Sequence, residues 1–348
     1  MRRHAAIIGG GIGGLATAIA LGNDGWRVTV HERDAALPAT GTALGMWPAA
    51  LRALDEIKTG HLVRETGAPQ QSGEVRRPDG SRIVTIRTPT ADPIHLISRP
   101  ALLRILHRTA TATADLRFSD PVDRIDGLDA DLVVVADGVF SRTREQLFGS
   151  GYQARYSGGT AWRGTIDGMA TSTFVEVWGR GVKFGVTPQE GGRTNWFAAA
   201  GAPEGDFHPG AEAATLRRMF DGWAAPVSQV LDAVTEGGIL RHDVYVAPAL
   251  PTHVSGNAVL IGDAAHAMTP DLGRGACEAL IDAVTLAECL RAASTVAGGL
   301  AAYDSRRRPA TRRLSRMAAA AGRLTRVRHA LPIRDGLLRA SMLAGPPA

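Results

Sequence analysis

The run Gly9-Gly10-Gly11-Ile12-Gly13-Gly14 places Gly9, Gly11 and Gly14 at G-x-G-x-x-G spacing, and Glu32 follows eighteen residues after the last of them. Such a set can hold a dinucleotide. Glycine at 9 permits a tight turn, at 11 it lets backbone approach a pyrophosphate, and at 14 it lets a helix pack close to a strand. The pyrophosphate then faces free N–H groups at a helix N-terminus, where the helix dipole favours negative charge. Glu32 can accept bonds from ribose hydroxyls, which favours an unphosphorylated ribose. On this motif alone FAD and NAD both stay open.

Two further acids stand at comparable places. Asp137 opens an Asp-Gly pair after the apolar run 131–136, with Ser141, Arg142 and Arg144 just behind. Asp263 follows residues 257–261 in Gly262-Asp263-Ala264-Ala265-His266. Pro270 and the sequence Asp271-Leu272-Gly273-Arg274-Gly275-Ala276-Cys277-Glu278 then lead into a helical stretch at 279–290. An aspartate there suits a polyol chain, and backbone N–H groups at 273–276 suit an electron-rich ring edge or an anion. His266 is expected to order its own turn by hydrogen bonding rather than to act as a base. No Ser/His/Asp order, C-x-x-C or metal-ligand cluster competes with this reading.

These residues need particular elements around them. Residues 5–8 make a short apolar run that fits a buried parallel strand, a helical pattern follows to about Gly22, and a second strand at 27–31 ends beside Glu32. Before the Asp137 motif, and again between it and the Asp263 motif, the pattern changes. Residues 73–77 and 82–86 alternate about Pro78-Asp79-Gly80-Ser81, and 173–178, 182–187 and 193–199 are joined by Gly179-Arg180-Gly181 and Gly191-Gly192. That is an antiparallel sheet inserted into an α/β unit, and it sets a pocket at their junction.

Composition agrees with a globular protein. In 348 residues, 45% hydrophobic and 21% charged, 41 glycines and 19 prolines exclude a fibre, coiled coil or disordered chain. The apolar runs are too short to cross a bilayer, and the early strand is expected to leave no room for a signal peptide. Cys277 and Cys289 are expected not to bridge, which suits a reducing, cytoplasmic setting. Eleven arginines against Asp304 and Asp335 make the stretch from 304 onward +9 and leave the rest of the +5 chain at −4. The alternation with Leu314, Met317, Leu324 and Val327 reads as a helix with a solvated basic face, not a nucleic-acid or integral-membrane surface.

The three motifs, in this order, resemble the class A flavin monooxygenases with the para-hydroxybenzoate hydroxylase fold, in the salicylate hydroxylase and zeaxanthin epoxidase branch. Gly45-Met46-Trp47-Pro48, Ser98-Arg99-Pro100-Ala101-Leu102, Thr160-Ala161-Trp162-Arg163-Gly164 and residues 262–290 carry the likeness across nearly the whole chain. The resemblance implies an α/β, Rossmann-type FAD-binding domain interrupted by an antiparallel β-sheet substrate domain, with C-terminal helices. The expected division is 1–67, 94–155 and 240–348 for the first, and 68–93 and 156–239 for the second.

It implies that Gly9, Gly11, Gly14 and Glu32 hold the ADP half of FAD, with Arg33 on the adenine side and Arg99 at a helix start touching the cofactor. Asp137 would serve FAD and nicotinamide, Asp263 the ribityl hydroxyls, and Pro270 with the backbone of Gly273, Gly275 and Ala276 the isoalloxazine. NADPH or NADH would reduce FAD from a transient site, since no second G-x-G-x-x-G exists. Dioxygen would then give a flavin hydroperoxide that hydroxylates or epoxidises a small aromatic or polycyclic metabolite. An oxidase or dehydrogenase, or a non-redox cyclisation on the same scaffold, is the alternative. The expected partners are the small-molecule substrate and O2, in a monomer or homodimer.

Two positions depart from the pattern: Arg274 stands where many relatives carry Gln, and Cys277 where many carry Asn. Arg274 is expected to point to solvent. The stretch after Thr40 lacks the basic residue that some hydroxylases place beside a mobile flavin. The substrate pocket is expected among Met46, Trp47, Lys183, Trp196 and Pro270, with core packing as the alternative for the tryptophans and an exposed charge for Lys183.

Overall fold

In the computed structural model, which describes residues 2–87 and 92–343, the chain builds three sheets. The first runs in the order Val254–Ser255, Ala258–Leu260, Leu132–Val135, His4–Ile8, Arg27–His31, Asp115–Arg117. Every ladder in it is parallel except the terminal pair 254–255 with 258–260. Ala5 to Ile8 and Leu132 to Val135 are buried throughout, as befits parallel strands covered on both faces. Helices Ile12–Asn23, Arg99–Ala110 and Gly275–Ala292 form one covering layer, where Leu15, Ile19, Leu102, Leu106, Leu280 and Leu286 join one core.

The strand His4–Ile8 is flanked by Arg27–His31 on one side and Leu132–Val135 on the other. The chain order therefore reverses at this strand, and a crevice opens at the carboxyl ends.

A seven-stranded sheet runs Leu240–Val246, Arg155–Ile166, Arg193–Ala200, Val182–Gln189, Phe174–Trp178, Ser72–Arg76, Arg82–Arg87. All its ladders are antiparallel except 72–76 with 174–178. Two of its strands extend the sequence expectation. Arg155–Ile166 and Leu240–Val246 are strands beyond those expected from the sequence, and the second carries this sheet seven residues past the boundary expected after 239. Conversely, Ala68–Gln70 and Ala43–Met46 each pair antiparallel with Ile94–Ser98, which lies between them in a separate three-stranded sheet. Residues 88–91 of the expected insertion and 344–348 of the C-terminal part lie outside the described residues.

Period-two alternation gives the large sheet two distinct faces. Trp162, Val175, Val177, Phe184, Val186, Trp196 and Ala198 pack on helices Glu212–Met219 and Val227–Ala233 through Leu216, Phe220, Val227 and Val230. The other face turns toward the parallel unit, where Ala43 N–H donates to Asn195 Oδ1 (3.0 Å) and Ser98 N–H to Glu190 Oε2 (2.9 Å). Helix Val296–Thr325 packs on Gly275–Ala292, and Leu331–Leu343 lies against the 82–87 strand. Among the described residues no helix is long and apolar enough to cross a membrane.

Candidate active site

Three neighbouring parallel strands end at one crevice, and each delivers one of the predicted residues: Gly9 after Ile8, Asp137 after Val135, Asp263 after Leu260. The glycines are required by contact. A Cβ on Gly9 (φ +104°) would lie 2.4 Å from Ala136 O, and one on Gly14 would lie 1.9 Å from Gly9 O. A Cβ on Gly11 would meet nothing within 4 Å, so the space in front of it is open. The helix that starts there has no side-chain cap and no acid in its first turn, so its first N–H groups remain available to an anion. Glu32 stands at the mouth, with Oε2 accepting from Gly10 N–H (2.6 Å) and Oε1 from Asp34 N–H (2.9 Å). Arg33 is exposed beside it, and Arg99 is exposed at the first turn of its helix behind the Ser98 cap.

Asp137 Oδ1 is buried without a partner, and burial pushes this carboxyl above the usual aspartate range. Arg144, buried, ties this turn to the next, donating to Val139 O (2.7 Å), Tyr152 O (2.7 Å) and Ala264 O (3.1 Å). Asp263 is exposed at the start of the short helix Asp263–His266. An open glycine cradle with free N–H groups, an unsatisfied buried carboxylate and an exposed aspartate fit a dinucleotide that carries a polyol.

Beyond it, Pro270 starts a single 3-10 turn, Gly273 takes the left-handed conformation (φ 62°), and Gly275–Ala292 begins without a side-chain cap. Two side chains lie differently from the sequence expectation. Arg274 does not reach solvent: it is buried, 3.0 Å from Glu278 and over the Trp47 ring at 5.6 Å. Lys183 is no exposed charge either, lying between Glu176 (3.1 Å) and Asp271 (3.2 Å). Its burial alone would lower the ammonium pKa, but the two carboxylates outweigh that and raise it.

His266 orders its turn as the sequence reading has it. Its Nε2 lies 2.6 Å from Asp282 Oδ2, which also accepts from Gly262 N–H (2.8 Å). Arg307 bridges Asp282 (2.6 Å) and Glu278 (2.6 Å), extending this buried chain of charges to Arg274.

The five predicted substrate-pocket residues do not share a wall. Met46 is fully buried in the main core, and Trp196 points to the far side of the sheet, stacked on Phe184 with centroids 5.7 Å apart. In the paired register Lys183 stands opposite Ala199, while Trp196 stands opposite Val186, so alternation sends them to opposite faces. The face turned to the crevice carries Phe197, Arg163 and His242 instead. The Phe197 ring lies over Gly185, where a Cβ would come within 2.1 Å of it. Desolvation, then the charge of Arg99, lowers the pKa of Arg163, and desolvation with Arg163 lowers that of His242. Sequence parity from Asn195 to Phe197 to Ala199 was the signal that could have found this face.

Residues 105–318 match the model of a family described as FAD binding domain, and 4–76 that of one described as FAD dependent oxidoreductase. The chain is 36% identical over 321 residues to an aurachin C monooxygenase/isomerase of Stigmatella aurantiaca, covering 86% of this chain and 83% of that one. It is 33% identical over 320 residues to a chloroplastic zeaxanthin epoxidase of Oryza sativa subsp. japonica, covering 82% of this chain and 48% of that one. The structure of Klebsiella pneumoniae HpxO complexed with FAD and uric acid superposes with a TM-score of 0.88 at 25% identity, covering 97% of this chain and 92% of that one.

Proposed function

This chain belongs to the family of class A FAD-dependent monooxygenases, and from that premise we propose which residues hold the cofactor and what they oxygenate. The enzyme uses FAD with NADPH or NADH and O2 to hydroxylate or epoxidise a small molecule. Bound FAD supplies hydride acceptance from the nicotinamide and activation of dioxygen for transfer of one oxygen atom.

Everything else is the work of the chain. The open N–H groups at Gly11 and the first turn of 12–23 receive the pyrophosphate, and Glu32 takes the ribose beside Arg33. Arg99 lies at the same crevice, Asp137 Oδ1 gains the partner it lacks, and Asp263 takes the ribityl hydroxyls. Pro270 and the backbone at Gly273, Gly275 and Ala276 flank the ring system, held in place by Lys183 on Asp271 and by Glu278 on Arg274. The substrate is an aromatic or polycyclic metabolite lying between Trp47 and the sheet face that carries Phe197, Arg163 and His242. The uric acid held in the Klebsiella pneumoniae HpxO structure supports a small planar ring compound. We read the enzyme as cytoplasmic, with both cysteines free and buried, and as a monomer or homodimer.

The observation that carries this reading is the arrival of Gly9, Asp137 and Asp263 at three adjacent strand ends. The test is the visible spectrum of purified protein before and after anaerobic NADPH or NADH, followed by oxygen labelled with the heavy isotope. A yellow protein that bleaches and puts one labelled atom into a fused aromatic supports it. Bleaching with hydrogen peroxide as the only oxygen product, across a panel of such substrates, would establish an oxidase instead.

A further inference from the structure

The one glycine cradle of this chain is assigned to FAD, so the hydride donor must be held elsewhere, and the structure contains a second place of suitable chemistry. Residues 265–269, which run from the Asp263 turn to Pro270, form the floor of a cavity of about 380 Å³. One wall is the extended segment after strand 240–246, with Val246, Pro248 and Leu250. The opposite wall is one face of helix Val296–Thr325, on which Arg308, Arg312, Arg316 and Arg323 recur at helical spacing.

Arg308 is paired with Asp304 at 3.0 Å. Arg312, Arg316 and Arg323 are exposed and, among the described residues, make no ion pair or side-chain hydrogen bond. The floor adds an independent sign of a missing ligand. His253 Nδ1, His266 Nδ1 and Thr269 Oγ1 are buried polar atoms without a hydrogen-bond partner, and all three residues border this cavity. A cationic wall, an apolar wall and an unsatisfied floor suit an anion carried on a large organic body. From Arg312 to Arg323 the helix rises about 16 Å, more than one phosphate spans and enough for two separated phosphate groups.

We propose that this cavity holds the adenosine-phosphate end of the nicotinamide reductant and that Arg312 and Arg316 select NADPH over NADH through its 2′-phosphate. The proposal rests on the monooxygenase reading, which requires such a donor. It also separates two ribose sites of opposite preference, since a carboxylate serves the FAD ribose at Glu32 and guanidinium groups serve the reductant here.

The experiment titrates 2′,5′-ADP calorimetrically into FAD-loaded wild type, R312Q/R316Q and R313Q, the last changing an exposed arginine outside this cavity. In parallel, rates of anaerobic flavin bleaching give apparent Kd values for NADPH and NADH. The expected result is that R312Q/R316Q weakens both 2′,5′-ADP and NADPH about ten-fold or more, moves NADH by less than about two-fold, and keeps full FAD content. R313Q should behave as wild type. Absence of 2′,5′-ADP binding to wild type, equal losses for NADH and NADPH, or the same loss in R313Q would overturn the assignment. If neither nucleotide bleaches the protein, with candidate aromatic substrates present as well as without them, the monooxygenase reading fails on its own account, and the 2′,5′-ADP titration still decides the cavity.

Discussion

Lys183 Nζ stands 3.2 Å from Asp271 Oδ1, and this contact joins the middle of the seven-stranded sheet to the loop that leads from Pro270 into helix 275–292. Lys183→Met would leave the Glu176 and Asp271 carboxylates facing each other in a largely buried place without their shared cation, with Trp178 Nε1 still donating to Glu176 (2.6 Å). Breaking such a pair costs about 3–5 kcal/mol, so urea unfolding should show a large loss of stability. FAD retention on a desalting column should fall with it, because the loop loses its tether. Retention equal to wild type would show that the tether does not shape the cofactor site.

Gly14 and Gly11 separate folding from binding. Gly14→Ala must push its helix off the first strand, because the new Cβ meets backbone at 1.9 Å, and overpacking of that kind costs about 1–3 kcal/mol. Gly11→Ala meets no protein atom, so its melting temperature as apoprotein should match wild type while its affinity for FAD falls. Fluorescence titration of free FAD into both apoproteins checks the contrast.

The pair His253 and His266, with ring centroids 5.9 Å apart, titrates in opposite directions. Burial, then the neighbouring His266, lowers the His253 pKa to about 4, whereas Asp282 raises that of His266 against its own burial. A lowered imidazole gives stability that is complete above its unfolded pKa of about 6.5 and is lost as pH falls toward 4, at most about 3 kcal/mol. The His266 contribution has the opposite sign and is lost as pH rises through its raised value. His253→Phe should therefore flatten the acid limb between pH 6.5 and 4 in denaturant unfolding, and an unchanged limb would assign the acid sensitivity to other groups.

Cys277 Sγ donates to Gly45 O (3.1 Å), and burial pushes its thiol up to about 11. The thiolate is the reactive form, so at neutral pH native protein should leave Cys277 unlabelled by iodoacetamide over hours, and urea should release it. Peptide mass mapping reads this directly. Rapid native labelling would mean that the 43–46 strand opens from helix 275–292.

The parallel unit was legible because its signals are local. Apolar runs, glycine spacing and acids at strand ends lie within a few residues of one another, and they define the crevice without long-range information. What escaped depended on partners distant in sequence. Leu240–Val246 is only half-buried and carries Arg241, His242 and Asp243, so it lacks a strong strand pattern and is recruited by the edge of Arg155–Ile166. Arg274 looked solvent-bound because Glu278 and Arg307 lie on helix faces whose meeting no local pattern reveals. Trp196 and Phe197 differ by one position, and only the register with 182–189 decides which of them looks toward the crevice.

The seven-stranded sheet is collected from three stretches of chain, 72–87, 155–200 and 240–246, with the last forming an outer strand beside Arg155–Ile166. During synthesis the long 155–166 strand therefore waits, with one row of N–H and C=O groups open, until residue 246 has left the ribosome. Its candidate partners in that interval include the same strand on a neighbouring nascent chain. Chains stalled or cut between 200 and 240 should aggregate through this edge, so the order of translation sets when the substrate wall becomes safe to expose.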